Sequence, residues 1–181
     1  HDTVRRQRQM CIRDRGFSGV NNFPTHSIVD GKFRQTLEET GMSVRKEVEM
    51  VGLARRMDLF SIVYVGSPEE ARDMAEVGAD AIIAHVGTTI GGSIGVVEAT
   101  MTLEDAAART QEIIEAGKTV RDDVIYLSHG GPISKPEDAA YINEHTDAVG
   151  FVGASSLERM AVEDSLTSLT REFKSIPVKR K

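Results

Sequence analysis

The chain has no tryptophan, and aromatic residues of all kinds make up only 5% of it. That scarcity removes the stacking platforms on which single-stranded nucleic-acid binders rely. A lone cysteine, Cys11, excludes an intramolecular disulfide and makes a reducing cytosol the expected, cytoplasmic setting. No apolar run approaches the roughly 20 residues a membrane-spanning helix needs, so no membrane is expected as a partner. Positive charge is in deficit, with 22 Lys and Arg against 28 Asp and Glu and a net charge of −6. Without a basic stripe in the body of the chain, nucleic acid is not an expected partner either. What is present is 181 residues, 40% of them hydrophobic, enough for one substantial core.

The first fifteen residues, HDTVRRQRQMCIRDR, stand apart: they are arginine-rich, lack an initiating Met and show no apolar periodicity. They read as a non-native or disordered basic arm, similar to a translated sequencing-adapter remnant fused to a truncated reading frame. A domain is therefore expected over residues 16–181.

Within it, short apolar runs alternate with helical patterns. Runs of Val, Ile and Ala with little alternation predict parallel strands buried on both faces. They fall at Ser18–Phe23 (stopped by Pro24), Phe60–Val65, Ala81–Val86, Val124–Ser128 and Ala148–Val152. Helices are expected over Ser43–Met57, from Ser67-Pro68-Glu69-Glu70 to Gly78, and over Thr102–Ala116, Ser134–His145 and Ser156–Phe173. The second opens on a Ser cap with Pro at the first position and Glu at the third. Its Pro-Glu-Glu-Ala motif is echoed by Pro136-Glu137-Asp138-Ala139, as repeated βα units would require. Glu38, Glu39 and Thr40 are expected in a long excursion near the mouth.

Four of the strand ends carry a ring, a spacer and a glycine: Tyr64 and Gly66, His85 and Gly87, His129 and Gly131, Phe151 and Gly153. In parallel α/β folds ligands bind at that carboxyl edge. Five units do not close a (β/α)8 barrel, which takes about 250 residues. The alternatives are an open doubly wound sheet and the C-terminal five βα units of a TIM (β/α)8 barrel; the shared strand-end pattern favours the incomplete barrel.

The segments GFSGVNNFPTHSIVDGKFRQTLEETGM, AHVGTTIGGSIG, SHGGPISKPEDAAYI and GFVGASSLERM resemble the phosphoenolpyruvate hydrolase-like family. Its members are also called TIM-barrel signal transduction proteins and are related to indole-3-glycerol phosphate synthase-like barrels. The resemblance implies hydrolase or lyase chemistry on a small phosphorylated or carboxylated, hence anionic, substrate. It also implies further βα units upstream; a related domain occurs in a plant virus-resistance protein, so a non-catalytic ligand-binding or protein-interaction module is the alternative. Homo-oligomerisation is the expected response to uncovered edges.

His85 and His129 are the catalytic candidates, because imidazole exchanges protons near neutral pH. Asn21 and Asn22 offer amides that could orient substrate oxygens. Thr88, Gly91 and Gly92 form a flexible loop suited to closing on an anion, and Gly130 and Gly131 lie beside His129. Gly153, Ala154, Ser155 and Ser156 open the last helix, where barrels commonly hold phosphate; Ser155 could also cap that helix with Glu158. Two histidines without a third carboxylate give only weak support for a divalent metal, and no cofactor is predicted.

Overall fold

The computed structural model describes residues 14–93, 95–98 and 100–176. Residues 1–13 of the expected arm, Cys11 among them, lie outside the described residues. Four strands, β1 (Gly19–Asn21), β2 (Phe60–Val65), β3 (Ala81–His85) and β4 (Ile125–His129), form one parallel sheet in sequence order. The described helices are α1 (Gly31–Glu39), α2 (Val44–Arg56), α3 (Pro68–Glu76), α4 (Leu103–Lys118), α5 (Pro136–His145) and α6 (Ala161–Ser175). A wide π-type turn, Ser156–Met160, leads into α6.

Register and side-chain alternation divide the sheet into two faces. Val63, Val65, Ile82, Ala84 and Tyr126 are buried in one cluster with Val51 of α2, Met74 of α3, and Ile113 and Ile114 of α4. These three helices therefore share one face, whereas a doubly wound sheet carries helices on both. Truncating Met74, which is fully buried, to Ala would cost about 2–5 kcal/mol. The opposite face carries Tyr64, paired with Ile83, and His85, paired with His129.

Local chemistry sets the helix starts. Ser67 Oγ accepts the Glu70 N–H at 3.2 Å with Pro68 at the first helical position. Thr102 and Asp105 form a reciprocal capping box at α4. The sequence echo has a structural counterpart. Glu70 accepts the Gly66 N–H ahead of its helix, and Asp138 accepts the N–H groups of Ser134 and Lys135 ahead of α5.

Two expectations are corrected. The excursion before Gly41 contains a helix, α1, supported by Arg34–Glu38 and Gln35–Glu39 pairs one turn apart. It buries no residue, so its sequence lacks the apolar stripe that would have announced it. The fifth strand, Ala148–Val152, is reduced to a single parallel bridge between Ser128 and Phe151. Val149 N–H donates to Tyr126 O, Ser128 N–H to Gly150 O, and Val152 N–H to Ser128 O. The segment thus pairs with β4, but Val149 stands exposed on the outer side, where no described strand covers it.

Candidate functional site

Rings from successive strand ends meet at the carboxyl edge of the sheet. Tyr64 lies 5.1 Å from His129 and 5.9 Å from His85, and the two histidines lie 5.1 Å apart, all between ring centroids. Phe23 packs on Tyr64 at 5.0 Å and Phe151 stacks beside His129 at 6.5 Å. The sequence pattern of ring, spacer and glycine thus converges on one layer. It does so because parallel pairing puts His85 and His129 at the same height.

The two imidazoles are held in opposite senses. The Gly87 N–H donates to His85 Nδ1 at 3.2 Å, which assigns the remaining proton of the neutral ring to Nε2. His129 Nδ1 donates to the Val152 carbonyl at 2.6 Å, which leaves its Nε2 as a lone-pair acceptor. Burial, with His129 adding to it, lowers His85 from the ordinary 6.5 to about 4. Burial also lowers His129, against the opposing pull of its bond to Val152 O. Both rings are therefore neutral at pH 7, one presenting a donor and the other an acceptor. Burial, with the Glu158 carboxylate assisting, raises the Tyr64 hydroxyl.

The remaining sequence candidates are placed as follows. Asn22 does not face open space. Its Oδ1 accepts the Tyr64 N–H at 2.7 Å, and its Nδ2 donates to Tyr64 O at 3.0 Å and Glu47 Oε2 at 2.6 Å. Asn21 Oδ1 accepts the Phe23 N–H at 2.6 Å, turning the chain toward Pro24. Gly130 and Gly131 have φ of +85° and +57°. A Cβ on Gly130 would run into Gly87 O, and the Gly131 N–H donates to that oxygen at 2.8 Å. This pair therefore packs the two histidine turns back to back.

Gly91 and Gly92 belong to a loop clasped by the last helix. Glu163 accepts both the N–H and the hydroxyl of Ser93 at 2.7 Å, and Arg159 donates to Gly91 O at 3.3 Å. Those bonds from Ser93, backbone first, with Arg159, pull Glu163 down to about 2. At the end of the bridged segment, Ala154 O accepts the N–H groups of Leu157 and Glu158. Ser155 is already helical and makes no capping bond, contrary to the expected cap. Ser156 Oγ is buried without a partner, and a Cβ on Gly153 would meet the Leu157 side chain.

Thr88 joins His85 in a cavity of about 280 Å³, with Ser27, Thr100, Met101 and Arg109 also on its wall. Arg109 was missed in the sequence because it sits mid-way along the Thr102–Ala116 pattern. Helical side chains lean toward the helix N-terminus, and that lean carries its guanidinium to Gly66 O at the end of β2, 3.0 Å away. Glu47 was missed too. It accepts from Asn22, Thr25, and both the N–H and ring of His26 at 2.6–2.8 Å, fixing the turn after β1. A second cavity, about 690 Å³, lies among Arg34, Arg45, Ser67, Glu69, Glu70 and Asp73. Among the described residues no three His, Cys, Asp or Glu side chains converge as metal ligands. No described helix is long and apolar enough to cross a membrane.

A parallel sheet wound in sequence order, with rings and glycine turns gathered at its carboxyl edge, defines an α/β protein of TIM-barrel-like kind. The chain belongs to the phosphoenolpyruvate hydrolase-like family, whose model matches residues 2–176. It is 51% identical over 162 residues to the tomato (Solanum lycopersicum) ToMV susceptible protein tm-1(GCR26) and to the ToMV resistance protein Tm-1(GCR237). That match covers 89% of this chain and 21% of each relative. It is 31% identical over 165 residues to y4pA of Sinorhizobium fredii, whose name describes a transcriptional regulatory protein; 91% of this chain and 27% of that protein are covered. The chain thus spans about a fifth to a quarter of the length of these relatives. Its fold is similar to that of a phosphonopyruvate hydrolase crystallised with oxalate and Mg++, at a TM-score of 0.51 and 14% identity, covering 93% of this chain and 60% of that one.

Proposed function

We propose that the chain supplies five consecutive βα units of a (β/α)8 barrel whose mouth acts on a small phosphorylated or carboxylated substrate by hydrolase or lyase chemistry. The observation that carries this reading is the opposed binding of His85 and His129 at their Nδ1 atoms. His129 Nε2 takes a proton from the substrate, while His85 Nε2–H donates to the oxygen on which charge develops. A neutral imidazole suits the second role, because it stabilises negative charge without first having to lose a proton. Thr88 and the Gly91–Gly92 loop orient the anionic end, and the turn at Gly153–Ser156 flanks His129. Asn21 and Asn22 support the mouth from behind.

The barrel reading has its own support. Val162, Leu166, Leu169 and Phe173 form a stripe at spacings of four and three along α6, each more than half exposed. Further βα units of a longer chain would cover that stripe and the free side of the 148–152 segment, consistent with the greater length of the relatives. Without them, the same surfaces drive self-association.

The test is turnover of phosphoenolpyruvate and related phosphorylated or carboxylic acids by a full-length relative, with the residue matching His129 changed to Asn. Loss of about 10²–10⁴-fold in turnover with ligand affinity retained supports the base role. Full activity in the folded variant removes it. The second reading, a ligand-binding or protein-interaction module without turnover, is favoured by the names of the tomato relatives at 51% identity. Tight binding of a small acid with no product formed would select it.

A further inference from the structure

We infer that Arg109 makes the His85 cavity a site for a small oxyanion, a carboxylate or phosphate group held by the guanidinium and the neighbouring hydroxyls. This deepens the reading of the barrel mouth and rests on it only for location. At about 280 Å³ the cavity falls just below the usual range for drug-sized ligands, about 300–1,000 Å³. Among the described residues its wall has no carboxylate, and Arg109 is the one permanent cation there. The larger cavity nearby differs, since its wall mixes Arg34 and Arg45 with Glu38, Glu69, Glu70 and Asp73.

The donors are on one side of the account. Arg109 uses one nitrogen on Gly66 O at 3.0 Å and one on Glu112 at 2.5 Å, and a guanidinium carries five N–H groups in all. Glu112 is the more exposed partner of that pair, at 56% of its side chain, so water screens its charge. His85 brings an Nε2–H, because Gly87 occupies its Nδ1. Thr88 and Thr100 bring hydroxyls, while the Ser27 hydroxyl is already given to Glu70 Oε2 at 2.5 Å. A wall of N–H and O–H donors around a fixed cation fits a charged oxygen acceptor better than a neutral group. The bond to Gly66 O, at the end of a different strand, holds the guanidinium in place before any ligand arrives, which lowers the ordering cost of binding.

The probes are oxalate and inorganic phosphate, titrated by calorimetry into the full chain while NMR follows the His85 ring. Either probe should bind in the micromolar-to-millimolar range. An anion beside His85 should also raise its pKa from the low free value. Arg109→Gln should weaken binding about tenfold or more and abolish that rise, and Arg109→Lys should fall between. Arg34→Gln, in the larger cavity, should change neither. A thermal melt of each variant separates lost folding from lost binding. Preference for oxalate assigns the site to carboxylates, and preference for phosphate to phosphoryl groups. The inference is overturned if neither probe binds at millimolar concentration. It is overturned equally if the folded Arg109→Gln chain binds like its parent, or if Arg34→Gln weakens binding as much. Binding at Arg109 without turnover of any substrate would sink the catalytic reading and leave this one standing.

Discussion

Asn22 closes both hydrogen-bonding groups of Tyr64 with one side chain, accepting from its N–H at 2.7 Å and donating to its C=O at 3.0 Å. The amide thus stands in for a peptide unit and extends the β1–β2 pairing past the last strand residue. Its second amide hydrogen goes to Glu47, so the polar atoms that suggested substrate orientation are used within the protein.

Replacing Asn22 by Asp should therefore unfold the chain more easily, by about 2–4 kcal/mol. A buried donor becomes an acceptor, and a new negative charge faces Glu47. Chemical denaturation measures the change. A stable Asn22→Asp chain with weakened ligand binding would restore the substrate role.

Stability should fall as the pH drops from about 6.5 toward 4. His85 titrates near 4 when folded against an ordinary 6.5, so between those values the unfolded chain binds more protons. Stability then rises with pH across that window. The shift corresponds to at most about 3 kcal/mol, and the partial exposure of the ring brings the expected loss to about 1–3 kcal/mol. His129 contributes in the same direction. Denaturant melts at stepped pH, compared with His85→Gln, measure it; an identical acid limb in that variant would refute the assignment.

Glu163→Gln should free the glycine loop while leaving the sheet intact. The carboxylate holds Ser93 through two bonds, and the neutral amide cannot match the charge-assisted pair. Hydrogen exchange at the Ser93 amide should speed up severalfold, with β2 and β3 unchanged. In the parent the clasp should persist below the ordinary carboxylate value of 4.5 and fail only as pH falls through about 2.

The chain by itself should self-associate through α6. Its stripe from Val162 to Phe173 is an apolar seam at coiled-coil spacing. Sedimentation velocity should show a concentration-dependent oligomer that Leu166→Glu with Leu169→Glu dissociates. A monomer at all concentrations would mean that the seam needs no cover.

The sequence by itself placed four of the five expected strands and the glycine turns at their carboxyl ends. Phe60–Val65 is β2 at the expected bounds, Ser67 caps where its spacing to Glu70 predicts, and the ring-spacer-glycine pattern lands in one layer. These features are local: they depend on side-chain period, caps and turns within a few residues. The helix over Gly31–Glu39 was illegible because it buries nothing, and the fifth strand was over-read because its pairing depends on what lies beyond Val149. Only the tertiary structure decided that Asn22 serves Tyr64, that Glu163 reaches Ser93, and that Arg109 shares a cavity with His85. In each case the partners are far apart in the chain. Their meeting is set by sheet register and helix packing, which no window of sequence contains.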